Sequence, residues 1–125
     1  MSEETVNPLK LYDVRWYLSY EILYYELCDR AAQGDDILVW ENLVLIEADN
    51  PEEAYQKAIE HGKASEGKVK VNGKDGLCIF KGLKRLMPIY EKFEDGSEIE
   101  WREYEVSQAE LDKLVVPKEQ LALWE

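Results

Sequence analysis

From Arg15 to Tyr25 every even position carries a large apolar or aromatic side chain: Trp16, Leu18, Tyr20, Ile22 and Tyr24. The odd positions mix Arg15, Ser19 and Glu21 with Tyr17, Leu23 and Tyr25. Successive side chains of a strand point to opposite faces, so this period of two predicts a long strand with one face on a core and the other partly wet. A polar, turn-rich stretch from Asp29 to Asp36 follows. A second apolar run, Ile37 to Ala48, then places Leu38, Trp40, Val44 and Ile46 on one side. The two runs predict an antiparallel hairpin with a long loop. On this reading Trp16, Tyr20, Tyr24 and Trp40 share the core side.

At Asn50 the period lengthens. Asn50 is placed to cap a helix, Pro51 suits the first helical position, where no N–H is needed, and Glu53 stands at capping-box spacing. Ala54, Tyr55, Ala58 and Ile59 form a narrow apolar stripe, with Gly62 as the expected stop. Two alanines in the stripe predict a helix lying close on a sheet. Lys68 to Val71 then alternates as a short strand, and Asn72-Gly73 predicts a tight hairpin turn, whose central residues must accept positive φ. Leu77 to Phe80 is the return strand, with Gly82 a bulge or bend. Leu86 to Tyr90 continues it, Pro88 marking an edge position or a break. Asp95-Gly96 turns the chain into a further strand, Glu98 to Val106, whose register slips near Arg102. Ser107 and Glu110 have capping-box spacing ahead of a short helix to about Leu114. Pro117 ends it, and Leu121 and Trp124 are expected to pack back.

The sum is one α+β domain over residues 1–125, with a loose N-terminal lead at 1–12 and a C-terminal helical segment at 107–125. The order β-β-α-β-β-β-α predicts a twisted, mostly antiparallel sheet of about five strands, with one main helix packed on one face.

Several stretches, taken in order, carry a resemblance. Trp16-Tyr17 opens the first strand, Leu45-Ile46-Glu47-Ala48 ends the second, and Pro51-Glu52-Glu53-Ala54 with Lys57-Ala58 lies on the helix. Phe80-Lys81-Gly82-Leu83, Pro88-Ile89-Tyr90-Glu91 and Asp95-Gly96-Ser97-Glu98-Ile99 complete the set. In this order they resemble a family of small bacterial proteins catalogued as domain of unknown function 4288. The resemblance runs from about Trp16 to Trp101 and leaves out the loop from Cys28 to Asp36 and the tail after Ser107. It implies a bacterial, intracellular α+β domain and assigns no residue a role.

Charge changes the picture next. The net charge is −12, and it is unevenly spread. Lys63 to Arg85 is locally basic (Lys63, Lys68, Lys70, Lys74, Lys81, Lys84 and Arg85 against Glu66 and Asp75), whereas Glu91 to Glu105 is strongly acidic. Nucleic-acid and anionic-membrane binding need clustered positive charge, so the acidic whole disfavours both. No apolar run approaches the ~20 residues of a membrane helix. Two cysteines, Cys28 and Cys78, without a motif or a leader pattern read as reduced thiols in a cytoplasmic protein.

The chemistry-bearing residues are few. His61, the one histidine, falls at the C-terminal end of the helix, where a cation interacts with the last carbonyls. No Gly-x-Ser-x-Gly, no paired zinc spacing, no calcium loop and no phosphate-cradling Gly-Lys-Ser/Thr occurs, so no catalytic residue, metal ligand or cofactor is predicted. On the hairpin side away from the predicted core, Tyr17, Leu23, Tyr25 and Leu43 set apolar and aromatic side chains between charges. That is either an interaction surface or a face covered by the C-terminal segment.

These features point to a non-enzymatic protein-interaction module. Its acidity suggests an inhibitor or immunity type of protein that finds a basic partner by electrostatic steering. Two other classes stay open. One is a small-molecule binder or enzyme with an unfamiliar site near Tyr20, Tyr55 or Trp101. The other is a homodimer or larger homo-oligomer that pairs with itself through an exposed strand edge.

Overall fold

In the computed structural model of the protein, residues 14–122 are described. β1 (Trp16–Leu27) and β2 (Val39–Glu47) form the expected antiparallel hairpin. α1 (Pro51–Ala64) follows, then β3 (Gly67–Val71), β4 (Lys74–Ile89) and a short α2 (Gln108–Leu114). The class is α+β, as the periodicities predicted. The described strands form one antiparallel sheet in the order β2-β1-β4-β3, so there are four strands where about five were expected. The predicted N-terminal lead at 1–12 and Trp124 lie outside the described residues.

α1 begins as its sequence dictates. The Asn50 side chain accepts the Glu53 N–H at 2.8 Å, and the Glu53 carboxylate accepts the Asp49 N–H at 3.1 Å. The buried stripe is narrower than expected: Ala54, Ala58 and Gly62 are covered, while Tyr55 points to solvent. Gly62 is not the stop. The helix runs on to Ala64, and Gly62 is the point where it meets the Phe80 ring; a Cβ there would sit 2.3 Å from a ring carbon. The position requires a missing side chain, not a turn.

Asn72 and Gly73 have φ of 50° and 77°, as the tight turn between β3 and β4 demands. β4 continues through both Gly82, expected as a bulge or bend, and Pro88, expected at an edge position or a break. Its pairing with β1 shifts register between Tyr20 and Glu21 and again between Ile22 and Leu23, near Gly82. Pro88 is tolerated because β3 pairs only with Lys74 to Cys78, so at Pro88 the outer edge of β4 has no ladder to supply.

The expected strand from Glu98 to Val106 does not form. A strand needs a ladder partner, and the free edge of β4 is interrupted by the irregular pairing and by Pro88, which has no N–H to give. The chain instead passes over the sheet, anchored by single side chains.

Register decides which face is covered. Trp16 pairs with Glu47, so even positions of β1 lie beside odd positions of β2. Tyr17, Ser19, Glu21, Leu23 and Tyr25 therefore share a face with Trp40, Val44 and Ile46. Ala54 and Ala58 of α1 pack there with Val14, Tyr17, Ile46 and Ala48. The expectation that even positions of both strands face one core is thus corrected. Trp40 sits against Tyr25, ring centroids 6.4 Å apart, and not with Trp16 and Tyr20.

Candidate functional site

The face of the sheet away from α1 carries Trp16, Leu18, Tyr20, Ile22 and Tyr24 from β1, beside Val39, Leu43 and Leu45 of β2. β4 adds Leu77 and Ile79 at one end and Met87 and Ile89 at the other. Because β2 is an edge strand, its side chains have neighbours on one side only. Leu43 is 56% exposed, and Leu45 and Val39 are 50% exposed each. Leu77 is exposed, and Ile22, Tyr24 and Ile79 are half-buried. Apolar side chains contiguous across three strands form a patch of the kind that marks an interaction site, unlike scattered single exposures.

The other half of this face is roofed by the acidic strap, residues 90–106. Phe93 leans on Trp16 with ring centroids 5.3 Å apart. The Tyr20 hydroxyl donates to Glu100 at 2.9 Å, and Arg85 approaches the same carboxylate at 3.5 Å. Arg85 also lies 5.5 Å over the Tyr20 ring. Beneath them Leu18, Tyr20 and Ile89 pack with Trp16 and Met87. Burial, and then the Glu100 carboxylate it donates to, raise the pKa of Tyr20. Burial also works to raise Glu100. The Trp101 N–H, the Tyr20 hydroxyl, Arg85 and Arg102 together outweigh it and hold the carboxyl below its ordinary value. A cavity of about 590 Å³ opens beside this latch, lined by Arg85, Met87, Glu100, Trp101, Arg102 and Tyr104 among others. The Lys84–Glu41 ion pair (3.3 Å) crosses β1 near Ile22, with Val39 on one side of it and the exposed Leu43 and Leu45 on the other.

Of the four residues expected on an interaction surface, Leu43 lies on this open face. Tyr17, Leu23 and Tyr25 do not: they are 2%, 1% and 8% exposed, on the face covered by α1. Tyr25 donates its hydroxyl to the Lys74 carbonyl at 2.6 Å and rests on Gly76, so packing and a hydrogen bond account for it. The reason is the register, which reverses the parity of β2 against β1. That face is closed by α1, not by the C-terminal segment, and Leu121 stays exposed. Of the three residues named for a pocket, Tyr20 and Trp101 adjoin the latch, while Tyr55 is on the solvent side of α1.

One polar cluster was missed by sequence reasoning. Glu21 is fully buried, and its two oxygens lie 3.0 and 2.9 Å from Nδ1 of the half-exposed His61. With the ring nitrogen donating, the buried carboxylate is satisfied and the end of α1 is tied to β1. The signal was present: a glutamate in the middle of a largely apolar strand, in a chain with one histidine. Ser19 lies on the same face, fully buried, and its Oγ has no partner among the described residues. A serine without access to substrate is no nucleophile, so the cluster is a fastening. Burial, followed by the charge of Glu66, raises the Cys78 thiol, away from reactivity. Among the described residues no group of three or more His, Cys, Asp or Glu is placed to hold a metal ion. No helix among them is long and apolar enough to cross a membrane.

Compared with known proteins, residues 16–101 match the family model of Domain of unknown function (DUF4288). No curated protein and no solved structure matches the chain.

Proposed function

The chain belongs to the DUF4288 family, and we propose that it is a non-enzymatic protein-interaction module whose docking surface is the open half of its sheet. The observation that carries this reading is the row of exposed side chains Val39, Leu43 and Leu45 on an edge strand, opposite Tyr24, Tyr20 and Leu18 of β1. Covering such a patch gains about 25 cal/mol per Å² of apolar surface. Beside it the strap exposes Glu91, Glu94, Asp95, Glu98, Glu103 and Glu105, in a chain of net charge −12. Carboxylates around an apolar patch favour a partner with a basic rim and speed its approach, as in inhibitor or immunity proteins that block a basic surface. The two free thiols fit a reducing, cytoplasmic setting.

The test is capture of a basic protein from the source cell at low and high salt, with Leu43→Arg alongside. Capture should weaken with salt and be lost in the variant, whose melting temperature should match the parent's. Capture that Leu43→Arg leaves intact sinks this reading. The cavity beside Glu100 favours a second reading, a small polar ligand held by Arg85 and Arg102; a thermal-shift screen with small carboxylates that moves Arg85→Ala as much as the parent would exclude it.

A further inference from the structure

The free edges of the described sheet are not treated alike. β3, the edge strand on one side, is short and carries Lys68 and Lys70. Where β4 runs on past β3, the Glu66 carboxylate accepts the Phe80 N–H at 2.9 Å, Gly82 interrupts the ladder, and Pro88 has no N–H to offer. Lysines, prolines and irregularities of this kind keep exposed strands from pairing with other chains. β2, the opposite edge, contains no Lys, Arg, Gly or Pro, and its register with β1 runs without a shift from Val39 to Glu47. Among the described residues no strand pairs with its outer side.

Two backbone bonds show which groups that edge presents. The Tyr25 N–H donates to the Leu38 carbonyl, and the Ala48 N–H donates to the Arg15 carbonyl. Even-numbered residues of β2 thus turn their N–H and C=O towards β1, while Val39, Glu41, Leu43, Leu45 and Glu47 turn theirs outward. The Lys57 ammonium donates to the Glu47 carbonyl at 2.7 Å and closes that end of the edge. The stretch from Val39 to Leu45 has no such closure. Its one charge, Glu41, is held by Lys84 at 3.3 Å, so it does not guard the edge as an uncompensated carboxylate would.

What fits a bare edge is another strand, and β2 itself has the matching pattern. About Asn42 the sequence is close to palindromic in its apolar positions: Leu38 mirrors Ile46, Val39 mirrors Leu45, and Trp40 mirrors Val44. Antiparallel pairing with Asn42 opposite its own copy sets each of these across from its counterpart. In that register the outward residues pair Val39 with Leu45 and Glu41 with Leu43, and these pairs exchange the hydrogen bonds. A shift of two residues one way sets Glu41 opposite Glu41, and the other way sets Val39 opposite Glu47. We infer that β2 pairs with the β2 of a second copy about a two-fold axis at Asn42, joining two sheets into one. This goes beyond the docking reading, because it uses the edge of the strand and not its face. The axis stands perpendicular to the sheet, so the open faces of both copies lie on one side and become continuous.

The experiment is sedimentation of the full chain at micromolar concentration. The parent should sediment as a dimer. Leu43→Pro should sediment as a monomer with the circular dichroism of the parent, because the N–H it removes points outward and the β1 ladder keeps its bonds. Asn42, which is exposed, tests the register. Asn42→Lys and Asn42→Asp each place like charges opposite one another, and each should raise the dissociation constant by up to about fivefold. An equimolar mixture of the two places opposite charges together and should dimerise more tightly than either alone. Net charge by itself would instead make the lysine variant of this acidic chain bind more tightly than the parent. A monomeric parent overturns the inference. So does a dimer that a folded Leu43→Pro leaves intact, a lysine variant that tightens the dimer, or a mixture no tighter than its components. If the parent is monomeric while Leu43→Arg still abolishes capture of a basic protein, the edge pairing falls and the docking reading stands. If the dimer behaves as described and no basic protein is captured, the docking reading falls and the edge pairing stands.

Discussion

The two faces of the sheet share one strand and treat it differently. On the helix face β1 presents Tyr17, Ser19, Glu21, Leu23 and Tyr25, all buried, under a helix that contributes only Ala54, Ala58 and Gly62. On the other face it presents Trp16, Leu18, Tyr20, Ile22 and Tyr24, and half of their surroundings lie open. The helix thus covers the face with the serine and the glutamate, and leaves the more uniformly apolar one. Apolar content therefore does not choose the helix's side; fit does. A small-residue stripe lies close on a face that has room and a polar fastening for it. A face of Trp, Tyr and Leu without a helix has the composition of an interface core, where aromatic side chains supply much of the contact.

The sharpest way to break this comparison is to unfasten the helix face. Glu21 has no solvent contact, and its carboxylate bonds to His61. His61→Ala leaves a carboxylate buried without that partner, a loss of about 3 kcal/mol. The half-exposed imidazole lets water reach the site and keeps the cost from being larger. In a chain of this size that lowers the melting temperature by roughly 10 °C. Replacing both members, as in Glu21→Leu with His61→Ala, should restore most of the loss, since the desolvated charge is gone. A His61→Ala protein as stable as the parent would mean that the helix face is held by packing alone.

A matched pair of substitutions sharpens the contrast. Ala58→Leu forces three extra carbons between α1 and the sheet at a position with no exposure, and overpacking of this kind costs about 1–3 kcal/mol. Leu43→Ser, on the open face, removes a side chain that is already more than half in water. It should lower the stability read from urea unfolding by no more than about 0.5 kcal/mol. Equal costs at the two sites would erase the distinction between a closed and an open face.

Much of this was legible along the chain. The hairpin, the capped α1, the Asn72-Gly73 turn and the capping box of α2 are local signals, set by residues within a few positions of one another. What was not legible depends on pairs far apart. The parity of β2 against β1 is fixed by a register that shifting the hairpin by one residue would invert, and it moved Tyr17, Leu23 and Tyr25 from the expected surface into the core. The residues from Glu98 to Val106 alternate well enough for a strand, but alternation cannot say whether a ladder partner exists. Glu21 and His61 stand forty positions apart and meet only once α1 is laid down. Leu43 survived on the candidate surface for a reason the pattern did not contain: with its parity reversed, it faces solvent across the sheet from its expected companions.

The smallest effect tests whether the strap belongs to the open face at all. Glu100 holds it down through Tyr20 and Arg85, and Glu100→Gln keeps the shape while removing the charge. Arg85 is partly exposed, so water screens the pair, and the loss should stay below about 1 kcal/mol, confined to the strap. The pH profile is the more decisive reading. The folded-state pKa of Glu100 lies below its ordinary value. Its contribution is therefore complete above the unfolded carboxylate value of about 4.3 and is lost as pH falls through the lowered folded value. The parent should hold its strap at pH 5 and release it only in stronger acid, with a change in tryptophan emission from Trp16 under Phe93 and from Trp101 beside the latch. Glu100→Gln, with no carboxylate to protonate, should lack that step. If parent and variant trace the same curve, the latch does not hold the strap, and both halves of the face are open.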